Sequence, residues 1–318
     1  MSVAGRTVLV TGAGRGIGRA EALHLAAAGA NVVVNDPGVE IDGRGGDAGV
    51  ADAVVAEIRA LGGRAVADTG NVADWEDAGR MVARAVDEFG DLHVVVNNAA
   101  TEVNKGMERL AEDEFDDVVA VKLKGTFAVS HHAARHWRAR FEAGERTDRA
   151  IVNTASGSGL LNPLPTQSNY AAANAAVAAM TTVHALELRR FGVRVNCVSP
   201  SMVRTRLTAG VPGERMTGPD VVAPVVTYLA GDGCPLTGQV LSVRGTSVAV
   251  NRGWSLGPRV ESDEPWTVDA LADAFDTVGV EVVDPFDALT TALGGALGLS
   301  RREDVEAVVN AQLDLPQN

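Results

Sequence analysis

Short apolar runs recur along the chain: Val8–Val10, Val32–Val34, Ala65–Ala67, Val94–Val96, Ile151–Val152, Val193–Val198 and Val240–Val243. They are continuous rather than alternating, which suits strands covered on both faces. The stretches between them carry apolar residues at helical spacing, as at Val54, Ile58 and Leu61, or Met81, Val82 and Ala85. Strand-length runs alternating with helices predict an α/β fold, a doubly wound parallel sheet. Pro219 to Ala230 reads as a further helix, and the glycine-rich stretch from Pro37 to Gly49 as a surface loop near the second strand's end. No internal repeat or low-complexity tract interrupts the pattern.

Composition narrows the function classes. With 318 residues, 46% of them hydrophobic, the chain can bury a sizeable core. A formal net charge of −13 disfavours nucleic acid or an anionic membrane surface as the main partner. Cys197 and Cys234 lie far apart without metal-ligand spacing, and no His/Cys/Asp cluster has it either, so no metal is expected. The N-terminus lacks a basic region followed by a long apolar run, and no stretch approaches the length of a membrane span. A soluble, cytoplasmic protein is expected.

The chemistry begins in the first strand. Thr7 to Thr11 runs into Gly12-Ala13-Gly14-Arg15-Gly16-Ile17-Gly18, and a helical pattern comes at once after it. Strand, glycine cluster and helix start suit a phosphate-carrying cofactor. The glycines let the backbone turn tightly and approach the pyrophosphate, and the free N–H groups of the helix start face its charge. The second run ends in Asp36, whose carboxylate suits ribose hydroxyls and repels a 2′-phosphate, so the cofactor is expected to be NAD. Arg15 is the competing feature. After the third run, Asn71 and Val72 can lie beside the adenine. A fifth strand delivers Ser156 at its C-terminal end, and Tyr170 opens an alanine-rich helix fourteen residues on.

With Asn97-Asn98-Ala99-Ala100 at the end of the fourth run, the sequence resembles the short-chain dehydrogenase/reductase family over roughly residues 5 to 250. The motif Thr-Gly-x-x-x-Gly-x-Gly is met at Thr11, Gly12, Gly16 and Gly18. Asn-Asn-Ala-Gly is met except at Ala100. The Asp36 loop looks most like the branch of the 3-hydroxyacyl-CoA dehydrogenase units of multifunctional enzymes. The resemblance implies a Rossmann-type domain over residues 1–250 with a C-terminal extension over 251–318. It makes Ser156 the group that polarises a carbonyl and Tyr170 the proton donor or acceptor. It also lays Pro200, Val203 and Thr205 along the nicotinamide, with Asn98 and Ala99 in the cofactor site. Met202, Leu207, Val211 and Met216, in the loop beyond, suit either the wall of an apolar substrate pocket or the core.

The sequence departs from the family where the tyrosine is tuned. A phenol near pKa 10 is a poor acid/base at neutral pH unless a cation stabilises its anion, and the family's lysine lies one helical turn beyond the tyrosine. That position is Asn174, which can still bond the nicotinamide ribose as Tyr170 does. The family's asparagine, on the preceding long helix, is here Lys122. In one reading amide and ammonium have exchanged places, and Lys122 supplies the charge near Tyr170 or its proton-relay water. In the other, Lys122 is a surface residue like Lys124, and the redox machinery is weakened or lost. His131, His132 and His136, on the same helix, read as partly exposed or interface residues.

Three function classes remain. The first is an NAD(H)-dependent oxidoreductase interconverting a small-molecule secondary alcohol and a ketone. The second is a non-redox lyase, isomerase or cyclase using Ser156 and Tyr170 for proton transfer. The third is a cofactor-occupied binding protein. The family pairs through two long helices, here about 108–140 and 169–190, so a homodimer or homotetramer is expected. The tail, with Trp254, Trp266 and helical patterns at 268–278 and 287–297, reads as an extension whose end is polar.

Overall fold

A computed structural model of the protein describes residues 1–40, 45–208, 216–253, 259–263, 265–278, 289–291, 299 and 301–314. The chain runs β1 (Thr7–Thr11), α1 (Gly16–Ala27), β2 (Asn31–Asn35), α2 (Gly49–Ala60), β3 (Arg64–Asp68), α3 (Trp75–Phe89), β4 (Val94–Asn97) and α4 (Glu112–Val119). It continues through a π-helical turn (Ala120–Gly125) into α5 (Thr126–Glu142), then β5 (Arg149–Thr154), α6 (Ser168–Leu188), β6 (Val193–Pro200) and α7 (Ala223–Ala230). After β7 (Val240–Arg244) and β8 (Ser247–Asn251) come α8 (Val268–Val278) and α9 (Arg302–Asp314).

The strands form one sheet in the order β3-β2-β1-β4-β5-β6-β7-β8, parallel except for the antiparallel pair β7 and β8. This is the expected doubly wound Rossmann-type fold. The valine-rich strands alternate their side chains between two cores. Val8, Val10, Val32, Val34, Val94, Val96 and Val152 pack under α1, α2 and α7. Leu9, Val33, Val95 and Ile151 pack under α3 and α5 on the other face. Burial on both faces is why these runs read as continuous.

Strand order reverses between β1 and β4, and the crevice beyond their C-terminal ends is where such sheets bind ligands. The segments framing it are the glycine loop, the β4–α4 loop, the β5–α6 loop and the loop after β6.

Three local features depart from the sequence pattern. The edge strand β8 has no counterpart among the apolar runs, because Ser247–Asn251 is exposed and pairs back on β7 across a two-residue turn at Gly245. The long helix expected over about 108–140 is α4 and α5 joined by the π-helical turn. The polar end of the tail forms α9, whose Val305 and Val309 pack with Leu289 beside Leu164 and Leu299. Val211, Trp254 and most of the pattern at 287–297 lie outside the described residues.

Candidate active site

The glycine loop is built for a close approach. Gly12 has φ +62°, and a Cβ there would come within 2.9 Å of Ala99 Cα. A Cβ on Gly18 would strike the Gly12 carbonyl oxygen. The hydroxyl of Thr11 accepts the N–H groups of Asn98 and Ala99 at 3.1 Å each. Asn98 Nδ2 in turn donates to the carbonyls of Thr11 and Gly12. These bonds lock the β4–α4 loop against the glycine loop. Helix α1 starts at Gly16 with Arg15 as its N-cap and no side-chain cap, so the first-turn N–H groups remain available to an anion. Ile17 packs toward the core. Thr205, from the loop after β6, lies beside Gly16. Gly12, Gly16, Gly18, Asn98, Ala99 and Thr205 are thus brought together, and the uncapped helix start with its glycine cradle fits a dinucleotide pyrophosphate.

At the other end of the cradle, both Asp36 carboxylate oxygens are engaged by backbone. Oδ2 accepts from Gly14 N at 2.9 Å and Oδ1 from Gly38 N at 2.8 Å. Arg15 turns toward the insertion and donates to the Val39 carbonyl at 3.1 Å, where Arg206 also reaches. Asn71 is exposed, with its side-chain oxygen bonded to Ala73 N, while Val72 is buried. Pro200 ends β6, and Val203 is buried behind the loop beyond it. Met202 takes φ +57°, a strained conformation for a side-chain-bearing residue, and its carbonyl accepts from Thr217 N.

Ser156 and Tyr170 meet. Ser156 lies just past β5, and its hydroxyl accepts Ser158 N at 3.2 Å. Tyr170 lies in the first turn of α6, one turn before Asn174. The phenol is pushed up to about 12 by burial and by the Glu102 carboxylate, against the opposing effect of hydrogen bonds from Ser156 and Asn174. Asn174 is fully buried, its Nδ2 donating to the Tyr170 carbonyl at 2.8 Å, and its Oδ1 has no partner among the described residues.

Lys122 sits in the π-helical turn and is 1% exposed, unlike Lys124, which reaches out to the Ala73 carbonyl. The surface reading of Lys122 therefore fails. Burial pulls its amine down to about 8, opposed by its interactions with Cys197 on β6 and Glu21 on α1. The groups acting on the Tyr170 phenol are Glu102, Ser156 and Asn174; Lys122 is not one of them.

Sequence reasoning missed what holds these residues. Asn97 Nδ2 donates to Ser130 Oγ and to Asn153 Oδ1, and Asn153 Nδ2 donates to Thr181 Oγ1, each at 2.9 Å. This buried chain ties β4 and β5 to α5 and α6. It also missed Glu102 and its partner Gln167, which come together from loops 65 residues apart. The only signal was two adjacent polar residues after Ala100, which reads like any loop. His131 packs tilted and His132 edge-on against Trp75 on the α3–α5 surface, and His136 bonds Asp91.

The model of short chain dehydrogenases matches residues 6–215. The chain is 37% identical over 263 residues to the hydroxyacyl-CoA dehydrogenase ChsB1 of Mycobacterium tuberculosis, covering 78% of this chain and 80% of that protein. It is 35% identical over 280 residues to peroxisomal multifunctional enzyme type 2 of Mus musculus, covering 86% of this chain but 36% of that longer protein. A crystal structure of a short chain dehydrogenase from Mycobacterium avium superposes with a TM-score of 0.81 at 43% identity, covering 90% of this chain and 98% of that one. The chain belongs to the short-chain dehydrogenase/reductase family and is an oxidoreductase acting on CH–OH and C=O groups, using the family's nicotinamide dinucleotide.

Proposed function

We propose that the protein is an NAD(H)-dependent oxidoreductase that interconverts a secondary alcohol and a ketone. The observation that carries the reading is the meeting of Ser156 and Tyr170 at the C-terminal end of β5. Ser156 polarises the substrate carbonyl by donating a hydrogen bond to its oxygen, and Tyr170 gives or takes the hydroxyl proton. When bound, the nicotinamide supplies or accepts the hydride at the carbonyl carbon. Asn174 holds the nicotinamide ribose or a water. Lys122 serves a proton-relay water: burial in the π-helical turn pulls its amine down to about 8, where it can exchange protons near neutral pH.

Asp36 underlies the choice of NAD. It follows β2, bonded to Gly14 N, and would meet the adenosine ribose, where a 2′-phosphate would be repelled. Likeness to hydroxyacyl-CoA dehydrogenases makes acyl thioesters the first substrates to try. Phe127 on α5 and Val183 and Leu186 on α6 are exposed, which supports pairing of copies through these helices. We infer a cytoplasmic homodimer or homotetramer.

The test is nicotinamide absorbance on mixing the protein with NADH or NAD and a panel of ketones and alcohols that includes 3-oxoacyl and 3-hydroxyacyl thioesters. Consumption of cofactor with one class supports the reading. Substrate turnover without cofactor consumption would favour a lyase, isomerase or cyclase working through the same Ser156 and Tyr170.

A further inference from the structure

The C-terminal extension reaches the catalytic end of the molecule through α9. Val305 and Val309 on that helix are buried, and with Leu289 they close an apolar cluster against which Leu164 and Leu299 pack. The two valines stand one helical turn apart and form a single ridge, while Glu303, Ala307 and Asn310 are exposed. Leu164 belongs to the span between Ser156 and Tyr170, the two residues proposed to work on the substrate.

That span bridges two of the loops that frame the crevice. Near its start, Gly157 N donates to the Pro200 carbonyl at 3.1 Å, and Asn162 Nδ2 reaches Ser201 Oγ at 3.5 Å. At its end, the Thr166 carbonyl accepts Lys105 N at 3.0 Å, and Gln167 Nε2 donates to Glu102 Oε1 on the β4–α4 loop. Leu164 lies between these moorings, its N–H bonded to the Asn162 carbonyl at 2.9 Å. Thr166 holds φ +71°, a left-handed conformation that a β-branched residue keeps only where its surroundings fix it. Residues 157–167 belong to neither a helix nor a named strand, so their position depends on what packs on them. The bonds that lock the glycine cradle run from Thr11, Gly12, Gly14 and Asp36 to Asn98, Ala99 and Gly38, and none involves the span.

We propose that α9 positions the substrate side of the active site: by packing on Leu164 it fixes the span that joins Ser156 to Tyr170, and so governs substrate binding and turnover while leaving the cofactor cradle alone. Val305, Val309 and Leu164 are positioning residues in this scheme, acting through the backbone that carries the serine and leads into the tyrosine's helix. The inference rests on the roles proposed above for Ser156 and Tyr170.

The test compares full-length wild type with Val305→Ala/Val309→Ala, with acetoacetyl-CoA and NADH as probes. The variant should raise KM for acetoacetyl-CoA and lower kcat, with kcat/KM down by about tenfold or more, because small displacements of catalytic groups are costly. The Kd for NADH, read by its fluorescence, should stay within about twofold of wild type. Leu164→Ala should produce the same loss from the loop side, and the triple variant should be no worse than either, since all act through one contact. Asn310→Ala, on the exposed side of α9, should match wild type. Hydrogen exchange gives a readout without turnover: the Leu160, Leu161 and Asn162 amides, all bonded to the Gly157 carbonyl, should exchange faster in the variant, and those of Gly12 to Gly18 should not. Wild-type exchange in the span, or wild-type kcat and KM, in a folded variant overturns the proposal; Leu164→Ala serves if the valine pair cannot be replaced. A wild-type protein that consumes no cofactor with acetoacetyl-CoA or any other ketone would instead overturn the proposed function, and the exchange data would still decide whether α9 holds the span.

Discussion

Asn174 Nδ2 bonds the backbone carbonyl of Tyr170 at 2.8 Å, one helical turn back. The position from which the family directs a cation at the phenol is thus occupied by an uncharged amide engaged with its own helix. Asn174→Lys should restore the cation and lower the phenol's apparent pKa by about one to three units, read as an acid shift in the pH profile of kcat/KM for oxidation. Paired with Lys122→Asn, the effect should differ from the sum of the two singles, as for residues acting as a unit. Strict additivity would mean that Lys122 and Asn174 serve separate purposes.

Lys122 is costly where it is. Its folded pKa is depressed to about 8 by burial, so the unfolded chain binds the extra proton more readily between there and the ordinary lysine value. Stability at neutral pH is correspondingly reduced. Lys122→Met keeps the volume and drops the charge, so it should stabilise the fold by roughly 1–3 kcal/mol while lowering kcat. Thermal melts and initial rates on one preparation would show both. Lys124→Ala, at an exposed site, should stay within about 0.5 kcal/mol of wild type. A loss of stability in Lys122→Met, or an unchanged kcat, would count against a charge kept for function.

Asp36 should govern cofactor choice. Isothermal titration should show NADH bound more tightly than NADPH, and Asp36→Ala should narrow the gap as Arg15 meets the 2′-phosphate unopposed. That variant also strands the Gly14 and Gly38 N–H groups, so a loss of about 1–3 kcal/mol in stability should accompany it. Tighter NADPH binding by the wild-type protein would refute the assignment.

Acid should weaken the fold at its far end. His93 Nδ1 accepts the Thr7 N–H at 3.0 Å, and burial holds the imidazole down at about 4. Between the ordinary histidine range and pH 4 the unfolded chain carries a proton there that the folded chain does not. Stability should fall as pH falls through that window, by roughly 3 kcal/mol in total. Asp91, whose burial is outweighed by hydrogen bonds from His136 and Arg149, is held well below the usual carboxylate range and keeps its contribution until stronger acid. Denaturant melts from pH 7 to 4 should show the slope, and His93→Gln should flatten it.

How much of the molecule is legible in its sequence depends on the range of the interactions. Strands and helices come from local pattern, so β1 to β7 fall where valine runs predict them. The glycine cradle and the meeting of Ser156 with Tyr170 are legible because their spacing repeats a family motif. Glu102 is not, since its importance depends on Gln167 and Tyr170, which are distant in sequence. The buried Asn97–Asn153–Thr181 chain is hidden for the same reason. Lys122 is half legible: its place on the helix can be read, but not its direction, which depends on a turn that periodicity does not encode.

That turn has a wider effect. A π-helical turn takes in one more residue than an α turn, so the downstream helix is offset by about a hundred degrees from an uninterrupted one. Upstream, α4 can therefore set its acidic side toward solvent. Downstream, Trp137 and Val129 are phased independently onto the sheet. The extra residue works like a spline joint between two shafts, and the buried amine sits in the joint. Deleting one residue there would make the rod continuous, but it would force a choice between seating the tryptophan and pointing the lysine inward.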